Sequence, residues 1–282
     1  MRLETVLLAL ALAVLASAAS AVKSAWAASD CGAPDAPCKV GGGEYNVALP
    51  SAGETPPAVI WLHGYARSGR AMIQKPKYVE PFTARGYAVI MPSGQPWPAS
   101  GKLDWGVVDG YDEERDDIAF IRTVRADAIE RFGLDPSRIL LAGFSRGGSM
   151  VWDLACLSPD IARGFAAVAG AFWEPMATDC AAPVHLFHTH GFNDRLVPFE
   201  GREGNFQGFN FRQGNVMKGV DVLRRENGCM GSAQNSFGED GSMQKDWSDC
   251  AAGSIRLRLT TGGHGVPNGW RDDVLDWFEA LP

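Results

Sequence analysis

The sequence predicts an α/β fold: a mostly parallel central sheet with helices on both faces. Three observations predict it. Six short β-branched or apolar runs each end at Gly or Pro, amphipathic stretches lie between them, and a glycine-bracketed serine sits where one run gives way to a helical pattern. Near-continuous apolar runs suit strands buried on both faces, which is the mark of a parallel sheet. Alternation of such strands with helical patterns makes that sheet helix-covered on both sides.

The chain opens MRLETVLLALALAVLASAASAVKSAWAASDC, with Arg2 ahead of an uninterrupted apolar run at 6–16, then small residues ending in Ala25-Trp26-Ala27. This is the layout of a secretory signal peptide, and the run is too short to span a bilayer. Residues 1–27 are expected to be a signal peptide and residues 28–282 a single catalytic domain, exported to the periplasm or the exterior. No second apolar segment approaches membrane length, so stable membrane insertion is not expected. A formal net charge of −7 without basic clusters argues against a nucleic-acid partner.

GGEYNVALP (42–50) reads as a first, separate strand. The six buried runs follow: AVIWLHG (58–64), YAVIMPSG (87–94), RILLAGFS (138–145), GFAAVAG (164–170), PVHLFHTHG (183–191) and SIRLRLTTGG (254–263). Between the second and third, residues 112–133 carry Ile118, Ile121, Val124, Ala128, Ile129 and Phe132 at helical spacing. Acids crowd the first turn of that stretch, Arg131 sits in its last, and Gly133 stops it, as the helix dipole and a C-cap prefer. The acidic cluster at 112–117 is therefore read as a helix start rather than a metal site. RDDVLDWFEALP (271–282) is a closing helix. Residues 200–214, rich in Gly and Phe, are the least regular, and are expected to be a loop over the site or a flexible insert.

Cys31, Cys38, Cys156, Cys180, Cys229 and Cys250 make an even number in an exported chain, with no C-x-x-C pair, so disulfides are expected rather than zinc ligands. Six cysteines allow fifteen connectivities. Neighbour pairing, 31–38, 156–180 and 229–250, is the preferred one because each bridge closes a short loop.

The chemistry centres on G-F-S-R-G at 143–147, which follows a strand and opens a helical pattern. A nucleophile on a sharp strand-to-helix turn needs small neighbours, because its own backbone is strained and the crossing chains are close. Gly143 and Gly147 therefore bracket Ser145, and Gly148 lets the new helix pack on the sheet. Chain order in such folds runs nucleophile, acid, base. His264, in TTGGHGVPNGW after the last strand, is the one histidine beyond Asp194, and so is the expected base. Asp194 follows the preceding strand and is the expected acid, holding the imidazole tautomer. Glu200 and Asp179 are weaker candidates.

Two amides are expected to form the oxyanion hole: that of Arg146, after the nucleophile, and that of Tyr65, in the loop WLHGYARSG. Gly64 leaves room there, and His63 is expected to buttress the loop rather than react. Aromatic residues past the strand ends, where ligands bind in open α/β sheets, suggest a substrate pocket. Trp105 and Trp173 are the expected contacts, with Trp97, Phe172 and the Phe206, Phe209 and Phe211 group near them.

VHLFHTHGFND (184–194) carries three of the five histidines and invites a metal reading. Period-two alternation sends His188 and His190 to one face of a strand and His185 to the other, so they do not converge on one ion. No metal and no cofactor are expected. The stretch is a buried strand that delivers Asp194.

With LHG, G-x-S-x-G, HGxxD and GGHG in that order, the chain resembles an α/β-hydrolase. More narrowly it resembles the secreted esterases grouped with poly(3-hydroxybutyrate) depolymerases and with the feruloyl and acetylxylan esterases of carbohydrate esterase family one. The resemblance runs from Tyr45 to the C-terminus through WLHGYARSG, DDIAFIRTV, DPSRILLAGFSRGGSM, HTHGFNDRLVPF, ENGC and GGHGVP. It implies a serine esterase with Ser145, Asp194 and His264 as its triad, the Tyr65 and Arg146 amides as oxyanion donors, and a small or oligomeric ester as substrate. Arg146 departs from the small or amide residue common after the serine in that group. The rivals are an oligopeptidase-like serine peptidase, a non-catalytic secreted binding protein on a hydrolase scaffold, and a metal hydrolase using the histidine strand. A broken triad would favour the second and inhibition by EDTA the third; neither is a feature of the serine reading.

Overall fold

The six apolar runs form the parallel centre of one ten-stranded sheet. The structure is a computed structural model that describes residues 30–98, 100–106, 115–206 and 208–282. The expected signal peptide at 1–27 and the acidic residues Asp112, Glu113 and Glu114 lie outside the described residues.

Strands β1 (Cys38–Val40), β2 (Gly43–Ala48) and β3 (Ala58–Leu62) come first, then helices α1 (Gly69–Ile73) and α2 (Pro76–Thr83). Strand β4 (Ala88–Pro92) and a short pair, β5 (Gln95–Pro96) and β6 (Leu103–Asp104), lead to α3 (Asp117–Phe132). The nucleophile region follows as β7 (Ile139–Phe144) and α4 (Arg146–Leu157), then β8 (Gly164–Val168) and β9 (His185–Gly191). A hairpin of β10 (Arg202–Phe206) and β11 (Phe209–Gln213) precedes α5 (Val216–Glu226). Strands β12 (Gln234–Phe237), β13 (Met243–Trp247) and β14 (Ser254–Thr260), and helix α6 (Trp270–Glu279), complete the chain.

The sheet order is β1-β2-β4-β3-β7-β8-β9-β14-β13-β12. The chain steps from β3 outward to β4, then back across to β7, so the order reverses at β3. In open α/β sheets the crevice at the strand carboxyl ends beside such a reversal is where ligands bind. It is where β3 and β7 deliver Tyr65 and Ser145. Antiparallel pairs flank the parallel centre, β1 and β2 at one edge and β12 and β13 at the other. Apolar residues pack on both faces: Trp105, Phe120 and Trp152 belong to one layer, Trp61, Phe82 and Trp270 to the other.

Local signals explain the boundaries. Helix α3 starts at Asp117, with Asp116 as N-cap accepting the Ala119 amide, and ends on Gly133 in the left-handed conformation at φ 64°. Asp117 is not a solvated first-turn acid. It is buried against Arg115 at 2.6 Å.

Two expectations need correction. Strand β14 is not buried on both faces: Arg256 and Arg258 alternate with buried Ile255 and Leu257 and pair with Asp246 and Asp240 on the open side. Residues 200–214 are not irregular, because β10 and β11 pair in register from Arg202↔Gln213 to Phe206↔Phe209. Helices α1, α2 and α5 and strands β12 and β13 were not expected. The cysteines pair as neighbours, Cys31–Cys38, Cys156–Cys180 and Cys229–Cys250.

Candidate active site

Ser145 sits between β7 and α4 at φ 58° and ψ −120°, a conformation that costs a non-glycine residue energy and exposes its Oγ. Its amide is tied to the Val168 carbonyl at 2.9 Å. The flanking glycines are steric requirements: a Cβ on Gly143 would lie 2.4 Å from the Gly147 carbonyl oxygen, and one on Gly147 would lie 2.2 Å from that of Leu62.

Three side chains from separate elements meet here. The Ser145 hydroxyl lies 2.9 Å from His264 Nε2, and His264 Nδ1 lies 2.7 Å from Asp194 Oδ2. With Nδ1–H donating to the carboxylate, Nε2 is left to accept from the serine. The other Asp194 oxygen accepts the Leu196 and Val197 amides, each at 2.9 Å. Burial works to raise the Asp194 pKa, but the hydrogen bonds from His264, Val197 and Leu196 outweigh it and hold the carboxyl below its ordinary value. Asp194 is therefore an anion at neutral pH, the state that orients an imidazole and stabilises an imidazolium.

The loop carrying Asp194 is braced from below by the histidines of β9. Trp152 Nε1 donates to His188 Nδ1 at 3.3 Å, His188 Nε2 lies 3.1 Å from His190 Nδ1, and His190 Nε2 lies 2.7 Å from the Val197 carbonyl. Only one set of tautomers serves every bond, with each imidazole neutral and donating from Nε2. Burial pushes the pKa of both histidines down. His185 points away and lies 2.8 Å from the Ser254 hydroxyl. Among the described residues, no group of three or more His, Cys, Asp or Glu is placed to hold a metal ion.

On the other side of Ser145, Gly64 abuts the nucleophile: a Cβ there would be 3.4 Å from Ser145 Cβ. This brings the Tyr65 backbone alongside Ser145, with Arg146 at the first turn of α4. His63 is a buttress, with Nδ1 2.9 Å from the Gly64 carbonyl and Nε2 accepting the Gly94 amide at 2.9 Å.

Trp105 departs from expectation. It is fully buried, stacks on His63 and donates its indole N–H to the His63 carbonyl at 2.8 Å, so it supports the loop and has no surface to offer a substrate. Phe172 is likewise core, packed on Trp152. Trp173 does line a cavity of about 150 Å³, together with Tyr65, Trp97, Arg146, Phe209 and Phe211. The β10–β11 hairpin supplies one wall and is tied to the segment after β8 through Gly214 N–H to the Phe172 carbonyl and Glu174 N–H to the Arg212 carbonyl. The Arg146 guanidinium lies 4.0 Å above the Trp173 ring and donates from Nε to Asp104 at 2.8 Å. Its charge is thus paired within the cavity wall. Asp104 was missed at the level of sequence, where nothing marks a partner 42 residues upstream.

A doubly wound sheet that presents a serine on a strained strand-to-helix turn, within reach of a histidine and a carboxylate from later strand ends, defines the α/β-hydrolase class. Within that class the chain belongs to the phospholipase/carboxylesterase family, whose model matches residues 44–207. That span includes Ser145 and Asp194 and stops short of His264.

The chain is 26% identical over 158 residues to feruloyl esterase C of Emericella nidulans, covering 55% of this chain and 52% of that one. It is 29% identical over 160 residues to lysophospholipase-like protein 1 of Mus musculus, covering 50% and 67%. The chain spans about half the length of the first curated relatives it matches. In fold it is similar to an acetyl xylan esterase from Aspergillus awamori, with a TM-score of 0.62, 17% identity and coverage of 85% and 94%.

Proposed function

We propose that the protein is a secreted serine esterase that hydrolyses carboxylic esters through an acyl-enzyme. The observation that carries this reading is the unbroken relay from Ser145 Oγ to His264 at 2.9 Å and from His264 to Asp194 at 2.7 Å. His264 takes the Ser145 proton as Oγ attacks the ester carbonyl, and Asp194 stabilises the imidazolium that forms. The Tyr65 and Arg146 amides stabilise the oxyanion. His264 then protonates the leaving alcohol, and a water deprotonated by the same imidazole releases the acid.

The substrate is a small or oligomeric ester of the feruloyl, acetyl-sugar or hydroxybutyrate type. The small, mostly aromatic cavity lined by Tyr65 and Arg146, the residues of the two proposed oxyanion donors, supports a short or single-ring acyl group over a long chain. Residues 28–282 form the catalytic domain, delivered by a signal peptide at 1–27. Three disulfides support an oxidising compartment. Peptide mapping after treatment with a fluorophosphonate tests the nucleophile. Ser145 alone should carry the label, and a label elsewhere or none would reject the mechanism.

A further inference from the structure

The two amides assigned to the oxyanion lie on separate elements, and neither backbone by itself sets the distance between them. Tyr65 belongs to the loop after β3, and Arg146 opens α4. Both are tied to one three-residue segment, 103–105. On the loop side, the Leu103 carbonyl accepts the Ala66 amide at 2.9 Å, and the Trp105 indole donates to the His63 carbonyl at 2.8 Å. These bonds bracket Tyr65. On the helix side, the Asp104 carboxylate accepts Arg146 Nε at 2.8 Å, and the Trp105 carbonyl accepts Arg146 Nη2 at 2.6 Å. Asp104 also accepts the Trp105 amide at 2.9 Å, which stiffens the segment itself.

The link is buried, with Asp104 3% and Arg146 8% exposed and Trp105 fully enclosed. A carboxylate and a guanidinium sheltered in this way interact more strongly than on the surface, with a direction set by the planar fork. The Trp173 ring packs against the same guanidinium at 4.0 Å. A small residue after the nucleophile could make none of these contacts.

We propose that Asp104 is a positioning residue for the oxyanion hole: through Arg146, and with Trp105, it sets the spacing between the Tyr65 and Arg146 amides. This rests on the serine-esterase reading above. Donors of this kind act on charge that develops in the transition state, so misplacing them lowers kcat while leaving KM close to its original value. A displacement of about 1 Å at a reacting centre costs roughly a hundredfold.

The test compares the wild-type protein with Asp104→Asn and with the double variant Asp104→Asn, Arg146→Met. The double variant holds no buried unpaired charge and is the one expected to fold should the single variant not. Each is assayed on p-nitrophenyl acetate and titrated with a trifluoromethyl ketone, which adds to a catalytic serine as a tetrahedral oxyanion. Wild type that neither hydrolyses the ester nor is labelled at Ser145 refutes the esterase reading. With wild type active, both variants are expected to lose about ten- to a hundredfold in kcat, with KM within about twofold, and to lose the same factor in affinity for the ketone. A folded variant that keeps wild-type kcat and ketone affinity, or that changes only in KM, overturns the role of Asp104.

Discussion

His190 Nε2 lies 2.7 Å from the Val197 carbonyl, and the Val197 amide in turn donates to Asp194 Oδ1 at 2.9 Å. The histidine-rich strand thereby holds the Asp194 carboxylate through the backbone of Val197. His190→Phe keeps an aromatic ring in place but removes both ring nitrogens, leaving the buried Val197 carbonyl and the His188 Nε2 proton without those partners. That should cost about 1–3 kcal/mol of stability and lower kcat by about tenfold. Thermal melts beside steady-state kinetics would measure both, and wild-type values in each would mean that the chain does not brace the loop.

Stability should fall with acid over a defined window. Burial keeps the His63 imidazole neutral and pushes its pKa from the ordinary 6.5 down to about 4, against the pull of the Gly64 carbonyl and Asp104. Below pH 6.5 the unfolded chain takes up a proton that the folded one refuses. The contribution is therefore fully present above 6.5 and lost as pH falls toward 4, by about 3 kcal/mol for His63 alone. His188 and His190, also shifted down by burial, act in the same direction. Denaturant midpoints at intervals from pH 7.5 to 4 should show the decline, and a flat profile would contradict it.

The Cys156–Cys180 bridge ties the end of α4 to the segment before β9 and spans 24 residues. Replacing both cysteines with serine should cost about 3 kcal/mol through the loop entropy released in the unfolded chain. Ser145 chemistry should survive at low temperature, because the bridge lies at the far end of α4. Chemical denaturation of the double variant measures the loss. Unchanged stability would show that the bridge does not constrain the unfolded chain.

Trp173 forms one wall of the aromatic cavity, between Arg146 and Phe211, which the proposed reading assigns to the acyl group. Trp173→Ala should enlarge the space and raise kcat/KM for a cyclohexanoyl aryl ester relative to the acetyl ester by about tenfold. An unchanged ratio would place the acyl group elsewhere.

Much of this architecture was legible because its signals are local. Buried parallel strands such as AVIWL and ILLAGF are nearly all apolar, and the glycines around Ser145 are demanded by contacts under 3 Å. Alternation along β9 correctly separated His185 from His188 and His190. Less legible were the features that depend on distant partners. QNSF at the sheet edge and MQKDW next to it are polar strands, recognisable only by their pairing outward from β14. The β10–β11 hairpin hides its pairing under Gly and Asn. Helix α1 is only five residues long, and α2 contains prolines at its start and inside it. Helix α5 did carry a pattern, with Val216, Val220 and Leu223 buried at helical spacing. Trp105 was misread because an aromatic past a strand end faces either cleft or core, and the choice is made by His63, 42 residues away. Arg146 stands out in the sequence only as a departure from the small or amide residue common after the serine, because its partner Asp104 lies 42 residues away.

The central claim is that Ser145 is the nucleophile of a hydrolytic acyl-enzyme. The most direct measurement is turnover of p-nitrophenyl acetate by Ser145→Ala beside wild type, with folding verified by thermal melt. Loss of at least about 10⁴-fold in kcat with the melt unchanged is the expected result. A folded alanine variant that hydrolyses the ester at the wild-type rate would contradict the mechanism outright.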